Sequence, residues 1–377
     1  MPIYFDNAAT SHPKPPAVVR AVSRALTETN ANPGRSGHRA AIEAARTVLD
    51  CREELAALLG AADAMSVVHC FNCTDALNLA IKGSLRVGDH VVTTWLEHNS
   101  VLRPLHGLAE RGRISLTLVP PRPDGFMDPD DIRDALAPRT ALIVCTHASN
   151  VTGAIQPVAA IGQVAKAAGV RYLVDGAQAL GGMPVNVTAL GCDLYAFPGH
   201  KSLLGPQGTG GLYIAPGVRL SPLREGGTGT DSHSLAQPDT LPERYESGTV
   251  NLPGIAGLAA SCEWVSPRLS QIMMHERELT QALFDGLAAM EGVTLYSPGQ
   301  EAGRAGIVCF NVGDLPSAQV ADALARRDIA VRGGLHCAPG AHRFLGTLDR
   351  GAVRASLGHA NTFEEVDQFL RVVRELI

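Results

Sequence analysis

One lysine in an unusual setting is the first candidate for chemistry. The chain contains only four lysines, Lys14, Lys82, Lys166 and Lys201. Lys201 alone lies in a small, apolar and glycine-rich stretch, GHKSLLGPQGTGG at residues 199–211. Burial lowers the pKa of a lysine and turns its amine into a usable nucleophile. The sequence therefore predicts amine chemistry at Lys201, and the alternative interpretation is a structural lysine in a loop.

Polar groups that would suit a ring-shaped cofactor lie upstream of this lysine. Asp175 ends an apolar run, and Gln178 follows one helical step later. A lysine that forms a Schiff base, together with an aspartate that pairs with a ring nitrogen, is what pyridoxal 5'-phosphate (PLP) requires. His98 is a candidate to stack on the ring. A helix that begins near Cys73 and Thr74 would offer backbone N–H groups to the phosphate.

These residues need a sheet to bring them together. Short apolar runs predict strands at residues 65–71, 91–95, 141–146, 170–175 and 194–197. Helical patterns alternate with them at residues 40–59, 74–85 and 157–168. This alternation predicts a mostly parallel sheet covered by helices on both faces. Polar groups follow all five runs, and ligands bind outside the carboxyl ends of such strands, so one edge of the sheet is the expected site.

The pattern changes after residue 250. The elements predicted there are a long helix at about 254–290, strands at 306–311 and 329–332, and helices at 317–327 and 363–376. Before it, residues 205–211 are predicted to form a tight hairpin leading to a strand at 212–215. We expect an α/β fold with a large domain at residues 15–265. Residues 1–14 and 266–377 are expected to form a smaller α+β domain.

Composition and charge exclude several classes of function. The 32 basic and 37 acidic residues give a net charge of -5 without a basic block, so no nucleic-acid partner is expected. No run approaches the roughly 18 apolar residues of a membrane span. Eight cysteines in 377 residues are not a disulfide framework, which favours a cytoplasmic location. Cys70 and Cys73 form a lone C-x-x-C pair without further ligands, and no metal site is expected.

Several motifs together resemble one family. They occur in order along nearly the whole chain: YFDNAAT (4–10), SNVTG (149–153), VDGAQ (174–178), GHK (199–201), ESGTVN (246–251), RGGLHCAP (332–339) and RASLGHANT (354–362). With these motifs the chain resembles the class V aminotransferase family of fold type I PLP enzymes. Within that family it is similar to the cysteine desulfurase and selenocysteine lyase group.

The resemblance implies a role in cofactor binding for most of the residues above. Lys201 would hold PLP covalently and move protons, and Asp175 would pair with the ring nitrogen. Gln178 would bond the ring hydroxyl, and His98 would stack on the ring. The residues that the resemblance implies for the phosphate are Cys73, Thr74, His200 and, from the neighbouring subunit of a homodimer, Thr249.

The resemblance also implies a reaction. Asn150 and Arg354 would receive the substrate carboxylate, for which an arginine fork is suited. Cys337 would take sulfur from L-cysteine as a persulfide and leave L-alanine, and a sulfur-acceptor protein is an expected partner. The glycines before Cys337 and the proline after it indicate a mobile loop. One departure is Pro198, which stands where the family commonly has Ser or Thr and offers no hydroxyl or N–H to a phosphate.

Three other functions remain open from the sequence. The first is a selenocysteine lyase that releases selenium and alanine from L-selenocysteine on the same scaffold. The second is a class V lyase or transaminase for other amino acids, against which Cys337 in its matching context argues. The third is a non-catalytic partner protein with a PLP fold. The presence of Lys201, Asp175, Gln178, His98 and Cys337 together argues against this third function.

Overall fold

A seven-stranded sheet forms the centre of the larger part of the molecule in the computed structural model, which describes residues 2–34, 36–299 and 303–377. Its strands are β2 (Val67–Cys70), β3 (Asp89–Thr94), β4 (Ile114–Val119), β5 (Thr140–Thr146), β6 (Arg171–Asp175), β7 (Leu194–Pro198) and β8 (Gly210–Ile214). They lie in the order β2-β8-β7-β6-β5-β3-β4. All neighbours pair in parallel except β8, which is antiparallel to β2 and β7. The carboxyl ends of β2, β3, β5, β6 and β7 therefore meet at one edge.

Both faces of this sheet are buried, which explains the continuous apolar runs in the sequence. In β5, Leu142 and Val144 belong to one core cluster, whereas Ile143 and Cys145 belong to the cluster on the other face. The helices of this part are α1 (Pro16–Thr27), α2 (Arg39–Leu59), α3 (Cys73–Ser84), α4 (Asn99–Glu110), α5 (Pro129–Asp134), α6 (Val158–Ala168), α7 (Val187–Leu190) and α8 (Leu252–Val265).

A smaller antiparallel sheet is formed by the C-terminal residues. Its strands are β9 (Val293–Leu295), β10 (Ile307–Val312), β12 (Arg332–Gly334) and β13 (Ala352–Ser356), in the order β12-β13-β10-β9. The helices of this part are α9 (Leu269–Ala288), α10 (Ser317–Ala325), α11 (Pro339–Phe344) and α12 (Phe363–Arg374). A short strand near the N-terminus, β1 (Ile3–Tyr4), pairs in parallel with β11 (Ile329–Ala330). Phe5 and Phe369 meet in the core of this part at a ring-centroid distance of 5.4 Å.

The prediction of one long helix at about 254–290 is wrong. The structure divides this stretch into α8, a 3-10 turn at Ser266–Arg268, and α9. Pro267 lies in that turn, and its ring clashes with the carbonyl four residues earlier, which interrupts the α-helical hydrogen bonds. The domain boundary between residues 265 and 266 coincides with this break and stays a prediction. In the part of the chain that the structure describes, no helix has the length and apolarity needed to cross a membrane.

Candidate active site

A cleft of about 760 Å³ lies at the edge where the carboxyl ends of the parallel strands meet. Residues from both sheets line it, including Cys73, Thr74, His98, Asn150, Asp175, Gln178, Pro198, His200, Lys201, Arg332, His336 and Arg354. The structure thus brings together all of the predicted site residues except Thr249 and Cys337. Because the arginines come from β12 and β13, the cleft needs the C-terminal residues as well as the main sheet.

Asp175 and Lys201 lie close enough in this cleft for each charge to stabilise the charged form of the other, against the effect of burial. Asp175 is 2% exposed at the end of β6, and its burial raises the pKa of the carboxyl. The Ala177 N–H donates to Asp175 Oδ1 at 3.0 Å and favours the charged form. Burial lowers the pKa of the Lys201 amine, while the nearby Asp175 carboxylate raises it. The site therefore holds an amine that gives up its proton more readily than a surface lysine.

Cys73 lines the cleft, and its thiol is directed at Asp175. Its side chain is buried, and the thiol donates to Asp175 Oδ1 at 3.5 Å. Burial raises the pKa of Cys73 well above its usual range, so the group is a thiol and a weak donor rather than a thiolate. Cys73 thus acts on the carboxylate directly, and any phosphate contact from this residue would use its backbone N–H.

His98 is the N-cap residue of α4 and has one defined tautomer. Its Nδ1 accepts a hydrogen bond from the Ser100 backbone N–H at 3.0 Å, so the proton of the neutral ring lies on Nε2. Burial lowers the pKa of His98 to about 4, and the Lys201 charge acts in the same direction. The ring in the cleft is therefore neutral at neutral pH.

The residue before it, Glu97, is a buried acid to which the sequence analysis assigned no role. Glu97 is 0% exposed, and Oε1 accepts from the Thr94 hydroxyl at 2.8 Å and the Thr146 N–H at 2.9 Å. Its other oxygen, Oε2, has no hydrogen-bond partner among the described residues. Burial, with a smaller contribution from the Asp175 carboxylate, raises the pKa of Glu97 to about 8. The only signal in the sequence was its position directly after a predicted strand.

The groups expected to receive a phosphate lie at the start of α3 and after β7. Asn72 caps α3 by accepting from the Asp75 N–H at 2.9 Å, and the Thr74 hydroxyl lies 2.7 Å from Ser100 Oγ. His200 Nδ1 is buried and has no hydrogen-bond partner among the described residues. Lys14 donates to the His200 carbonyl at 2.8 Å, so this lysine belongs to the surroundings of the site rather than to a free surface.

Arg354 and Asn150 are joined at the C-terminal side of the cleft. Arg354 is 1% exposed and donates to the Asn150 carbonyl and to Asp6 Oδ1, both at 2.9 Å. Arg354 Nε is buried without a hydrogen-bond partner in the described part of the chain. The Asn150 amide donates to the His336 carbonyl at 2.7 Å. A buried guanidinium with a free N–H is suited to an anionic ligand.

Cys337 lies beside the cleft, in the turn between β12 and α11. It is exposed, whereas the other seven cysteines are buried. Arg332 Nη2 lies 3.9 Å from Cys337 Sγ, and the Asn99 N–H donates to the Cys337 carbonyl at 2.7 Å. Of the expected mobile loop, Gly333 and Gly334 instead belong to β12. Arg332 stands within a motif that the sequence analysis quoted, yet it was given no role there.

Thr249 lies apart from the cleft in this chain. It is exposed and borders a separate depression together with His69 and Glu246. Glu246 accepts two hydrogen bonds from Arg52, both at 2.7 Å, and this buried pair attaches the segment around Thr249 to α2. The proposed contact of Thr249 with a phosphate of a neighbouring subunit stays a prediction.

Comparison with known proteins gives the family. The model of the family described as aminotransferase class-V matches residues 3–369. The chain belongs to the class V aminotransferase family. This family membership confirms the resemblance predicted from the motifs.

Two relatives of this class V chain and one solved structure carry the name cysteine desulfurase. It is 36% identical to a probable cysteine desulfurase of Methanothermobacter thermautotrophicus, over 99% of this chain and 94% of that protein. It is also 36% identical to a cysteine desulfurase of Klebsiella pneumoniae subsp. pneumoniae, over 100% of this chain and 94% of that protein. The apo structure of the Thermococcus onnurineus NA1 cysteine desulfurase matches with a TM-score of 0.94 and 36% identity, covering 100% of this chain and 94% of that chain. The predicted fold class is confirmed, and the predicted activity agrees with these names.

Proposed function

We propose that this class V chain is a PLP-dependent cysteine desulfurase that converts L-cysteine to L-alanine and takes up the sulfur on Cys337. The observation that carries the proposal is the position of the one exposed cysteine, Cys337, beside a cleft that contains Lys201, Asp175 and Arg354. A transaminase would need the amine and the carboxylate but would have no use for an exposed thiol there.

The residues of the cleft fit PLP. Lys201 supplies a half-buried amine whose pKa is lowered by desolvation, and Asp175 supplies a buried carboxylate for the ring nitrogen. The Gln178 amide donates to the Ala8 carbonyl at 3.1 Å, which leaves its second N–H for the ring oxygen. The unpartnered His200 Nδ1 and the N-terminus of α3 suit a phosphate. When bound, the cofactor supplies an electron sink for the negative charge that forms on the substrate carbon.

The chain's own residues hold the substrate and move its protons. Arg354 and Asn150 would bind the substrate carboxylate, because Arg354 Nε is unpartnered and the Asn150 amide has a second N–H. The Lys201 amine would take the proton from the substrate α carbon, since its lowered pKa leaves a larger share unprotonated at neutral pH. The neutral His98 ring would cover the reacting face without placing a second positive charge beside Lys201.

Sulfur transfer is assigned to Cys337. Its thiolate attacks the substrate sulfur, a new S–S bond forms, and the bond between the β carbon and sulfur breaks. The electron pair of the broken bond stays on the β carbon, which takes up a proton, and the product leaves as alanine. The Arg332 guanidinium lies 3.9 Å from Cys337 Sγ, so it would stand beside the sulfur as the S–S bond forms.

Two parts of the proposal concern other chains. Thr249 would reach the phosphate in a second copy of this chain, which gives a homodimer with shared sites. The exposure of Cys337 leaves its persulfide open to the thiol of an acceptor protein. We also propose the domain division at residues 1–14, 15–265 and 266–377.

Alanine release from L-cysteine, measured with dithiothreitol as the sulfur acceptor, tests this function. We expect turnover by the PLP-loaded wild type and none by Lys201→Ala or Cys337→Ser. Cys192→Ser is the matched control, because Cys192 is a buried cysteine near the amino end of β7, away from the cleft. Mass spectrometry should find one additional sulfur on Cys337 after a single turnover. A Cys337→Ser enzyme that releases alanine at the wild-type rate would exclude the proposed reaction.

A further inference from the structure

The turn that carries Cys337 has an unfavourable backbone conformation. His336 and Cys337 are consecutive non-glycine residues with φ of 49° and 57°. This left-handed region brings the β carbon close to the following carbonyl oxygen, so single residues visit it rarely and two in succession need support. Such conformations persist only when the surrounding structure holds them in place.

Hydrogen bonds to two of its carbonyl groups hold this turn on two sides. The Asn150 amide donates to the His336 carbonyl at 2.7 Å, and the Asn99 N–H donates to the Cys337 carbonyl at 2.7 Å. These bonds fix the two carbonyl groups. They do not constrain the orientation of the His336 side chain, which is 3% exposed.

A row of buried side chains fixes that ring. His336 Nε2 lies 3.1 Å from the Arg332 carbonyl, and His336 Nδ1 lies 3.2 Å from His342 Nε2. His342 is 0% exposed, and its Nδ1 lies 2.8 Å from the Thr347 hydroxyl. The two rings stack at a centroid distance of 5.3 Å and an interplanar angle of 25°. This row of hydrogen-bonded side chains therefore connects Thr347, just after α11, with the Arg332 carbonyl in β12.

The directions of these hydrogen bonds follow from one carbonyl. The Arg332 carbonyl can only accept, so His336 Nε2 carries a proton and Nδ1 of the neutral ring is an acceptor. His342 must then donate from Nε2, and the Thr347 hydroxyl must donate to His342 Nδ1. Burial lowers the pKa of His336 to about 3 and that of His342 to about 4, which keeps both rings neutral as this row requires.

We propose that His342 is a positioning residue for sulfur transfer: by donating to His336 it holds the turn that carries Cys337 beside the cleft. His342 does not itself line the cleft. This inference rests on the proposed desulfurase function, because a positioned thiol matters only for a reaction that uses one.

Two substitutions at His342 separate positioning from packing. His342→Leu fills the space but cannot donate, whereas His342→Gln places an amide N–H near the position of Nε2 and can still donate to His336. We expect the leucine variant to lower kcat for L-cysteine by about 10-fold to 100-fold, because a small misplacement of a reacting group has effects of that size. KM should change little, since Arg354 and Asn150 are untouched. The glutamine variant should keep a kcat close to that of the wild type.

L-Selenocysteine is the discriminating substrate. Selenium leaves more readily than sulfur, so its release depends less on Cys337, and the leucine variant should retain most of its turnover. His90→Leu is the matched control, because His90 is also buried and has two side-chain hydrogen bonds, to Thr140 and Thr117, near the amino end of β3. This control should lower both activities in proportion to the loss of folded protein. Equal losses on both substrates in His342→Leu, or a glutamine variant as slow as the leucine variant, would overturn the positioning role.

Alkylation of Cys337 by iodoacetamide gives a readout that needs no turnover. The PLP-loaded wild type and the His342→Gln variant should react at similar rates, and His342→Leu should differ from both. Identical alkylation rates in all three proteins would contradict the inference. The parallel assay of Cys337→Ser on L-cysteine keeps the two proposals apart, since turnover by that variant removes the desulfurase function whatever the alkylation shows.

Discussion

Glu97, a buried acid next to His98 of the cleft, should make the stability of this protein depend on pH. Burial raises the pKa of Glu97 from 4.5 to about 8, and Oε2 has no hydrogen-bond partner among the described residues. Between these two pKa values the unfolded chain has lost the proton that the folded chain still binds. Stability from this group is therefore complete below the unfolded pKa and is lost as the pH rises through the folded pKa.

The size of the effect follows from linkage. One pKa unit corresponds to about 1.4 kcal/mol, so the free energy of unfolding should fall by about 1.4 kcal/mol for each pH unit between the two pKa values. From pH ~5.5 to pH ~7.5 the loss from Glu97 is about 2.7 kcal/mol. Glu97→Gln removes this titration and keeps an oxygen that accepts from Thr94 and Thr146. The glutamine variant should thus gain about 2.7 kcal/mol relative to wild type over that pH range.

Urea unfolding of both PLP-loaded proteins at three pH values measures this difference. Glu53→Gln is the control, because Glu53 is exposed and its replacement should leave the pH slope unaltered. Turnover of L-cysteine by Glu97→Gln should stay near the wild-type rate at neutral pH, since glutamine resembles the protonated acid. A difference between variant and wild type that stays constant with pH would refute the assignment of a neutral Glu97 beside Asp175.

Three further predictions concern a buried ion pair, cofactor retention and sharing of sites between subunits. Arg52→Met should lower the free energy of unfolding by about 3–5 kcal/mol, because it removes the positive charge that pairs with the buried Glu246 carboxylate. The added change Glu246→Gln should recover part of this loss, and additive losses in urea unfolding would contradict the pairing. Pro198→Thr should slow the loss of PLP during dialysis, since a hydroxyl that bonds a phosphate contributes about 1.5–3 kcal/mol. Equal or faster loss of PLP would show that the phosphate is held without this hydroxyl. A mixture of Lys201→Ala and Thr249→Ala chains should regain activity if sites are shared between subunits, and verified subunit exchange without rescue would argue against that sharing.

The sequence by itself determined which strand ends carry the chemistry. The apolar runs are local, and each ends where its strand leaves the core, so the polar residues that follow are found without knowledge of the fold. Asp175 and Lys201 were recognised in this way, because an aspartate at a strand end and a lysine among glycines differ from their usual settings. The motifs then identified the family over nearly the full chain.

Only the tertiary structure decided which groups face one another. The Cys73 thiol points to Asp175. Arg332 reaches the cleft from β12, and His336 reaches it from the turn after β12, more than 100 residues after Asp175. The long helix expected after residue 250 was wrong because a pattern of apolar residues continues through Pro267 although the hydrogen bonds do not. Periodicity reports which side of an element is buried. It does not indicate which residues the buried side contacts, because those contacts depend on packing between elements that are distant in the chain.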